Sequence, residues 1–135
     1  MDWWTSTATT KRQKKRKRLI DSSIPTEEDE QIRLVTWMTN RNIRFYAIAN
    51  GGYRNSNEAL RLKKAGVTPG IPDLCIPVAR KGFHSLYIEL KRTKGGVVSF
   101  YQKYWLEALM AEGHLAVICK GADEAIAVIE DYFKV

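Results

Sequence analysis

Gly70-Ile71-Pro72-Asp73 and, a short gap later, Glu89-Leu90-Lys91 are the stretches that decide the fold of this chain. Each adjoins an apolar run, 74–78 after the first and 86–88 before the second, and each run is predicted to be a strand. The linking residues contain a glycine and suit a hairpin loop. The hairpin would bring Asp73 opposite Glu89 or Leu90, where cross-strand Cβ atoms lie about 5 Å apart.

Two carboxylates at this short distance repel each other unless a cation lies between them. Magnesium and manganese are the natural cations, because they prefer hard oxygen ligands. Side chains alternate along a strand, so Tyr87, Glu89 and Lys91 share one face and the leucine and isoleucine neighbours face the core. A lysine beside such carboxylates can orient a water molecule or stabilise a charged transition state. The hairpin therefore predicts hydrolytic chemistry.

These residues resemble the PD-(D/E)XK nuclease signature, and their wider context is similar to the VRR-NUC group of that superfamily. The similarity extends from about Thr26 to Phe133 and rests on Asn50-Gly51-Gly52, Gly66, Pro69 to Leu74, Glu89-Leu90-Lys91 and Gln102. It implies an α/β restriction-endonuclease-like core with a mixed central β-sheet flanked by helices.

The resemblance also implies a metal site. Asp73, Glu89 and the backbone carbonyl of Leu90 would hold Mg²⁺, for which Mn²⁺ would substitute, and Lys91 would position the attacking water. A glutamate of the first helix would join them; Glu27 is preferred, while Glu28 and Glu30 stay open, since first-turn acids also stabilise helices.

Gln102 has two interpretations. Ser99-x-x-Gln102 fits a capping box, in which the glutamine returns a hydrogen bond to the helix start. The resemblance instead places this side chain beside the metal, as a fourth catalytic residue after Asp73, Glu89 and Lys91. Both roles are compatible.

The implied activity is hydrolysis of DNA phosphodiester bonds during replication, repair or recombination. The resemblance to small stand-alone members of the group further implies a homodimer that acts on branched DNA such as four-way (Holliday) junctions. It also suggests a phage origin and an intracellular location, which would be the host cytoplasm or, in a eukaryote, the nucleus. A nuclease acting on RNA and a non-catalytic nucleic-acid-binding module are the alternatives. The exposed hydrophobics of the last helix, or the tryptophans near the N-terminus, would supply the dimer contact.

Charge divides the 135 residues into a tail, 1–24, and one domain, 25–135. The net charge is +7, of which the tail holds +5 and the domain only +2. Like charges at that density resist packing, so the tail is expected to be disordered and to contact nucleic acid. The predicted nucleic-acid-binding residues are Lys14, Lys15, Arg16, Lys17 and Arg18 in the tail and Asn50, Arg54, Arg61, Lys63 and Lys64 in the domain.

Other classes of protein lack support. No apolar stretch approaches the roughly 18 residues of a membrane span, and the N-terminus shows no secretory h-region. Cys75 and Cys119 lie in apolar runs and suit buried thiols in a reducing compartment. No zinc-type spacing, serine–histidine or cysteine–histidine arrangement is evident, and no small-molecule cofactor is implied.

The coarse pattern predicts the order α, β, α, β, β, α, β, α. The predicted helices begin after Thr26, near Asn57, at Ser99 and at Ala122. The remaining predicted strands cover 43–49 and 115–119. In the third helix Tyr101, Tyr104 and Trp105 are expected to face the core.

Overall fold

The computed structural model describes residues 23–49 and 55–135, and in these residues helices and strands follow the predicted order. The helices are α1 (Glu27–Asn40), α2 (Ser56–Lys64), α3 (Phe100–Ala111) and α4 (Ala122–Phe133). The strands are β1 (Tyr46–Ala47), β2 (Leu74–Ile76), β3 (Leu86–Lys91) and β4 (Leu115–Lys120). The tail, up to residue 22, lies outside the described residues.

The four strands form one mixed sheet in the order β1-β2-β3-β4. The first two neighbouring pairs are antiparallel, and β4 runs parallel to β3 after the crossover through α3. Leu74 pairs with Ile88 in the hairpin, so Asp73, one residue before the strand, falls opposite Glu89. The α/β class, the mixed sheet and the hairpin register are therefore confirmed.

One face of the sheet packs on α1 and α4 and forms the core. The inward residues of β3 are completely or almost completely buried there, as predicted, together with residues of both helices: Leu86, Ile88, Leu90, Leu34, Met38, Ile129 and Tyr132. Each such side chain contributes roughly 1.5–3 kcal/mol through the apolar surface it removes from water. The same alternation turns Glu89 and Lys91 to the opposite face.

The first strand is shorter than predicted. The apolar run 43–49 contributes only Tyr46 and Ala47 to the sheet. Its partner β2 has three residues and is followed by Pro77, which has no N–H to continue a ladder. A short partner leaves the rest of the run without a strand to pair with.

The third helix is more exposed than predicted, and the inward orientation of Tyr104 is wrong. Tyr101 and Trp105 are partly buried, but Tyr104 is 57% exposed, and no residue of α3 is fully buried. Helix α3 packs mainly on β4, a strand at the edge of the sheet. A helix that covers an edge buries only a narrow line of side chains.

The outer face of the last helix is acidic rather than apolar. Its exposed side chains include Asp123, Glu124, Glu130 and Asp131, and its apolar residues Ala125, Ile129 and Tyr132 point into the core. This helix therefore has no exposed large hydrophobic side chain of the kind predicted for a dimer contact, and its half-buried Ile126, Val128 and Phe133 pack against the core. Among the described residues, no helix has the length and apolar composition needed to cross a bilayer.

Candidate active site

Asp73 stands at the point where the chain enters β2, partly buried beside the adjacent strand. Its Oδ2 accepts a hydrogen bond from the backbone N–H of Leu90 at 2.7 Å. Because the N–H and C=O of a strand residue point to the same side, the carbonyl of Leu90 is also directed toward the β2 edge. The side chain of Asp73 and the carbonyl of Leu90 thus belong to one corner of the sheet.

Glu89 and Lys91 occupy the non-core face of β3 and are nevertheless buried, with only 3% and 6% of their surfaces exposed. Lys91 Nζ lies 3.5 Å from Glu89 Oε1. Buried ions must be paired, because the loss of hydration is costly. Two carboxylates and one ammonium share this corner, which leaves one negative charge in excess.

Gln102 combines its two predicted contacts. Its Oε1 accepts from the backbone N–H of Ser99 at 2.8 Å, and its own N–H donates to Ser99 Oγ at 3.2 Å, which completes the capping box of α3. Its Nε2 donates to Glu89 Oε1 at 2.8 Å. The cap fixes the amide so that its NH₂ group points at the carboxylate of β3.

The pKa values of both carboxyl groups are raised. Burial, and next the charge of Asp73, raise the pKa of Glu89 to about 8, against the opposing effect of Lys91. Burial also raises the pKa of Asp73, which the Leu90 N–H and the Lys91 charge partly offset. A pair with these shifts favours uptake of a proton or a metal cation.

The three glutamates at the start of α1 have different surroundings. Glu27 is exposed, and its charge contributes to the raised pKa values of both Asp73 and Glu89. It therefore lies near enough to the carboxylate corner to act on both groups. Glu28 is exposed and has no such effect on either group. Glu30 is buried, accepts from the backbone N–H of Ala122 at 2.7 Å and pairs with Arg33 at 3.2 Å.

Two glycines allow the chain to close around the corner. Gly70 has φ +84°, and a Cβ there would lie 2.6 Å from the carbonyl oxygen of Tyr101, so only glycine lets the segment before Asp73 approach α3. A Cβ on Gly96 would lie 3.0 Å from the Cβ of Lys91. The sequence prediction used Gly70 as part of a motif without recognising this packing role, which its contact with α3 reveals.

The predicted nucleic-acid-binding residues are only partly described. Arg61, Lys63 and Lys64 are exposed in the last turn of α2. This turn lies on the segment that leads to Gly70 and Asp73. Asn50, Arg54 and the basic residues of the tail lie outside the described residues.

A serine–histidine contact exists that the sequence did not reveal. Ser85 Oγ lies 2.6 Å from His114 Nδ1. Ser85 is only 5% exposed, and it lies at the opposite end of β3 from Glu89, about 13 Å away along the strand. Within residues 23–49 and 55–135 no acidic side chain is bonded to His114, so this contact has the properties of a structural hydrogen bond.

The carboxylate corner supplies oxygen ligands of the kind that Mg²⁺ prefers. Within residues 23–49 and 55–135, no group of three or more His, Cys, Asp or Glu side chains is gathered closely enough to bind a metal by itself. Asp73 and Glu89 therefore need a backbone oxygen or water to complete a coordination sphere. Magnesium commonly keeps several waters and uses one or two carboxylates, so the corner fits this ion.

Comparison with known proteins identifies one family. The profile of the VRR-NUC domain matches residues 13–123. A solved structure described as a VRR_NUC domain protein is 30% identical in sequence, covers 81% of this chain and 88% of its own, and superposes with a TM-score of 0.69. A search of curated proteins finds no match.

Proposed function

This chain belongs to the VRR-NUC domain family, which carries a PD-(D/E)XK-type nuclease domain, and on that premise we propose that it is a metal-dependent endonuclease acting on branched DNA. Asp73 and Glu89 carry the proposal. They are a buried carboxyl group, Glu89, and a partly buried one, Asp73, brought together at one end of a hairpin with Lys91 beside them. A purely structural corner would have no reason to bury this excess of negative charge.

Asp73, Glu89 and the carbonyl of Leu90 would hold Mg²⁺, with Mn²⁺ as a substitute, and Glu27 would contribute from the start of α1. An ion held there would supply the positive charge that polarises the scissile phosphate and lowers the pKa of a nearby water. The fit is electrostatic, since burial raises the pKa values of Glu89 and Asp73 and the charges of neighbouring carboxylates add to the effect, so a cation at the corner would stabilise both ionised forms. Nucleases of this family are generally metal-dependent.

Lys91 and Gln102 perform the remaining tasks. Lys91 would position the attacking water, and its ammonium group would stabilise the negative charge that grows on the phosphate. Gln102 donates one hydrogen bond to Glu89 while the start of α3 holds its other end. This bridge keeps the carboxylate in one orientation through the reaction.

Substrate binding would extend beyond the corner. The exposed cations of α2 (Arg61, Lys63 and Lys64), with Asn50 and Arg54 before them, would contact the phosphate backbone. Lys14, Lys15 and Arg16 to Arg18 would add sequence-independent attraction. Deleting residues 1–24 should then weaken DNA binding and flatten its dependence on salt, and an unchanged salt slope would remove the tail from the interface.

The test is cleavage of end-labelled single-stranded, duplex, flap and four-way-junction DNA with Mg²⁺, Mn²⁺ or EDTA. Wild-type protein should cut in either metal, stop in EDTA and prefer a branched substrate, while Glu89→Ala should be inactive. Tight binding without cleavage in any metal would favour a binding module. Cleavage confined to matched RNA substrates would identify a ribonuclease.

We also propose that the active form is a homodimer. One site cuts one strand, so two symmetric sites would make the paired nicks that resolve a four-way junction. Light scattering after size exclusion should give twice the chain mass, and a junction should be cut on opposite strands during one encounter. A monomeric mass with full junction activity would contradict the dimer.

A further inference from the structure

Helix α3, together with the loop before it, exposes more large apolar side chains than any other element among the described residues. Val97 is 79% exposed, Phe100 76%, Tyr104 57% and Met110 44%. We call these four residues the α3 stripe. Single exposed apolar residues are common and need no explanation, but a row of them along one element is typical of an interaction surface.

The centre of the α3 stripe faces away from the carboxylate corner. An α-helix turns about 100° per residue, so Phe100 and Tyr104 each lie about 200° around the helix from Gln102. Gln102 points at Glu89, which it contacts at 2.8 Å. A partner bound to the stripe would therefore leave the carboxylate corner uncovered, and it would fix from outside the helix that orients Glu89.

The charges beside the stripe have both signs. Lys103 and Glu107 are exposed, and neither takes part in a salt bridge within the part of the chain that the structure describes. A lysine four residues before a glutamate is the weaker order for an ion pair within one helix. Both charges are thus available to a partner that offers a glutamate and a lysine at the same spacing.

A second copy of the chain meets this requirement when the two α3 helices pack antiparallel. Lys103 and Glu107 lie two residues on either side of position 105, so a two-fold axis there puts the lysine of each copy beside the glutamate of the other. The same axis turns Phe100 toward the Met110 end of the other copy, since each is five residues from position 105. One symmetry operation therefore matches both the charges and the apolar residues.

The area of the stripe suits a small specific interface. An aromatic ring buries about 150–250 Å², so at the exposures of Phe100 and Tyr104 the four rings of a dimer would supply roughly 500 Å². A specific interface needs about 1,000 Å² in total. Val97, Met110 and the aliphatic parts of the charged side chains beside them would supply the remainder.

We propose that the α3 stripe is the interface between two copies of this chain, with the α3 helices antiparallel about a two-fold axis near their middle. This inference rests on the proposed function, of which it specifies the homodimer contact. The two Asp73–Glu89 corners would lie on the outer sides of the paired helices. Two helices of about 10 Å diameter then separate the active sites, which suits paired cuts on opposite strands of a branched substrate.

The first experiment measures the mass of the full chain without metal or DNA, by light scattering and sedimentation equilibrium. Wild type should have twice the chain mass. Phe100→Glu and Tyr104→Glu should each raise the dimer dissociation constant about 100-fold or more, because every substitution acts twice in a symmetric pair. Ile32→Glu, which puts the same charge at a 58% exposed apolar position of α1, is the matched control and should stay dimeric.

Exchange of the two charges gives a test that a loss of folding cannot imitate. Lys103→Glu alone and Glu107→Lys alone each bring like charges together twice, so each variant should dimerise about 10-fold more weakly than wild type. A mixture of the two variants should recover the wild-type dissociation constant, because each copy then supplies the charge that the other lacks. No recovery on mixing would overturn the antiparallel arrangement.

Other occupants of the stripe would give different results. A dimer that none of these substitutions weakens would mean that the copies meet elsewhere, and the proposal would be wrong. It would also be wrong if wild type is monomeric. A monomer that becomes a dimer when residues 1–24 are deleted would show that the N-terminal segment covers the stripe instead.

Failure of the proposed function is recognised separately, because the mass is measured without cleavage. A dimer that depends on the stripe but cuts no nucleic acid in Mg²⁺ would leave the interface established and remove the nuclease. A monomeric wild type that cuts DNA would do the reverse.

Discussion

Glu30 and Glu89 are almost equally buried, at 4% and 3% exposure, but their surroundings differ. Glu30 accepts a backbone hydrogen bond from Ala122 at 2.7 Å and pairs with Arg33 at 3.2 Å, where α1 meets the start of α4. Glu89 accepts a hydrogen bond from the Gln102 amide at 2.8 Å. Lys91, however, is 3.5 Å from Glu89, and the charge of Asp73 acts against the ionised form of Glu89.

This difference separates two uses of a buried acid. Glu30 satisfies the first N–H of α4, where Gly121 offers no side-chain cap, so its charge joins two helices. The ionised form of Glu89 is disfavoured by burial and by the charge of Asp73, so the pKa of this group rises to about 8. Burial alone does not distinguish a structural carboxylate from a site for a cation, whereas the balance of its partners does.

Asp73→Asn gives the largest expected effect. The substitution removes one charge from the corner but keeps an oxygen for the Leu90 N–H. Cleavage should fall about 10³-fold, while the free energy of unfolding should stay the same or rise, because a repulsion is lost. Single-turnover kinetics and urea unfolding measure the two. Asp123→Asn, at an exposed carboxylate paired with Arg33, is the control; wild-type cleavage by Asp73→Asn would remove the corner from the chemistry.

Glu30→Ala tests the other side of the comparison. It leaves the buried N–H of Ala122 without its acceptor and removes the partner of Arg33. Unfolding in urea should show a loss of about 3 kcal/mol. Glu28→Ala, at an exposed position in the same turn, should cost less than about 0.5 kcal/mol. Equal losses in the two variants would mean that Glu30 does not hold α4.

Gly70→Ala should disturb the contact that brings α3 to the corner. Its Cβ would meet the Tyr101 backbone, whereas Gly66, also at positive φ (+97°), has nothing within 4 Å of the same position. In both alanine variants the positive φ lowers the free energy of unfolding by about 1 kcal/mol, because an L side chain is strained there. Gly70→Ala should lose about 2 kcal/mol more than Gly66→Ala and cut more slowly, since Gln102 moves with α3. Matching stability and rate in the two variants would show that the close approach is unimportant.

Stability of the metal-free protein should depend on pH through Glu89. In the folded chain this group keeps its proton up to about pH 8, whereas the unfolded chain releases it near its ordinary value of 4.5. The folded state then binds more protons than the unfolded state in this window, so stability falls as pH rises through it. In EDTA, wild type should lose about 4 kcal/mol more than Glu89→Gln between about pH 5 and 9, because over about three pH units the folded group keeps a proton that the unfolded one has released. Parallel stability curves would contradict the raised pKa.

The sequence predicted the hairpin corner because its determinants are local. Glycine and turn residues set the loop, alternation set the faces, and together they put Asp73 opposite Glu89 or Leu90, of which the structure has Glu89. The capping box at Ser99 is local as well, and it fixed the start of α3. The two contacts of Gln102 followed from a local motif and a family resemblance.

Contacts between distant parts of the chain could not be predicted in this way. Sequence reasoning preferred Glu27 and left Glu28 and Glu30 open, and Glu30 is distinguished only by its partner in α4, 92 residues later. Tyr104 was expected in the core because helical periodicity shows which residues share a face, but not how much of that face the sheet edge covers. Gly70 was visible as a motif residue, while its approach to Tyr101 depends on the tertiary fold.

The most direct test compares the cleavage rates of Glu89→Gln and Glu30→Gln in saturating Mg²⁺, at a temperature where circular dichroism shows both to be folded. Each substitution neutralises a buried glutamate without changing its size. We predict that Glu89→Gln cuts about 10³-fold more slowly than wild type and is at least as stable, while Glu30→Gln is less stable and cuts at close to the wild-type rate. Wild-type cleavage by Glu89→Gln, or inactivation by Glu30→Gln alone, would contradict the assignment of the active site to the Asp73–Glu89 pair.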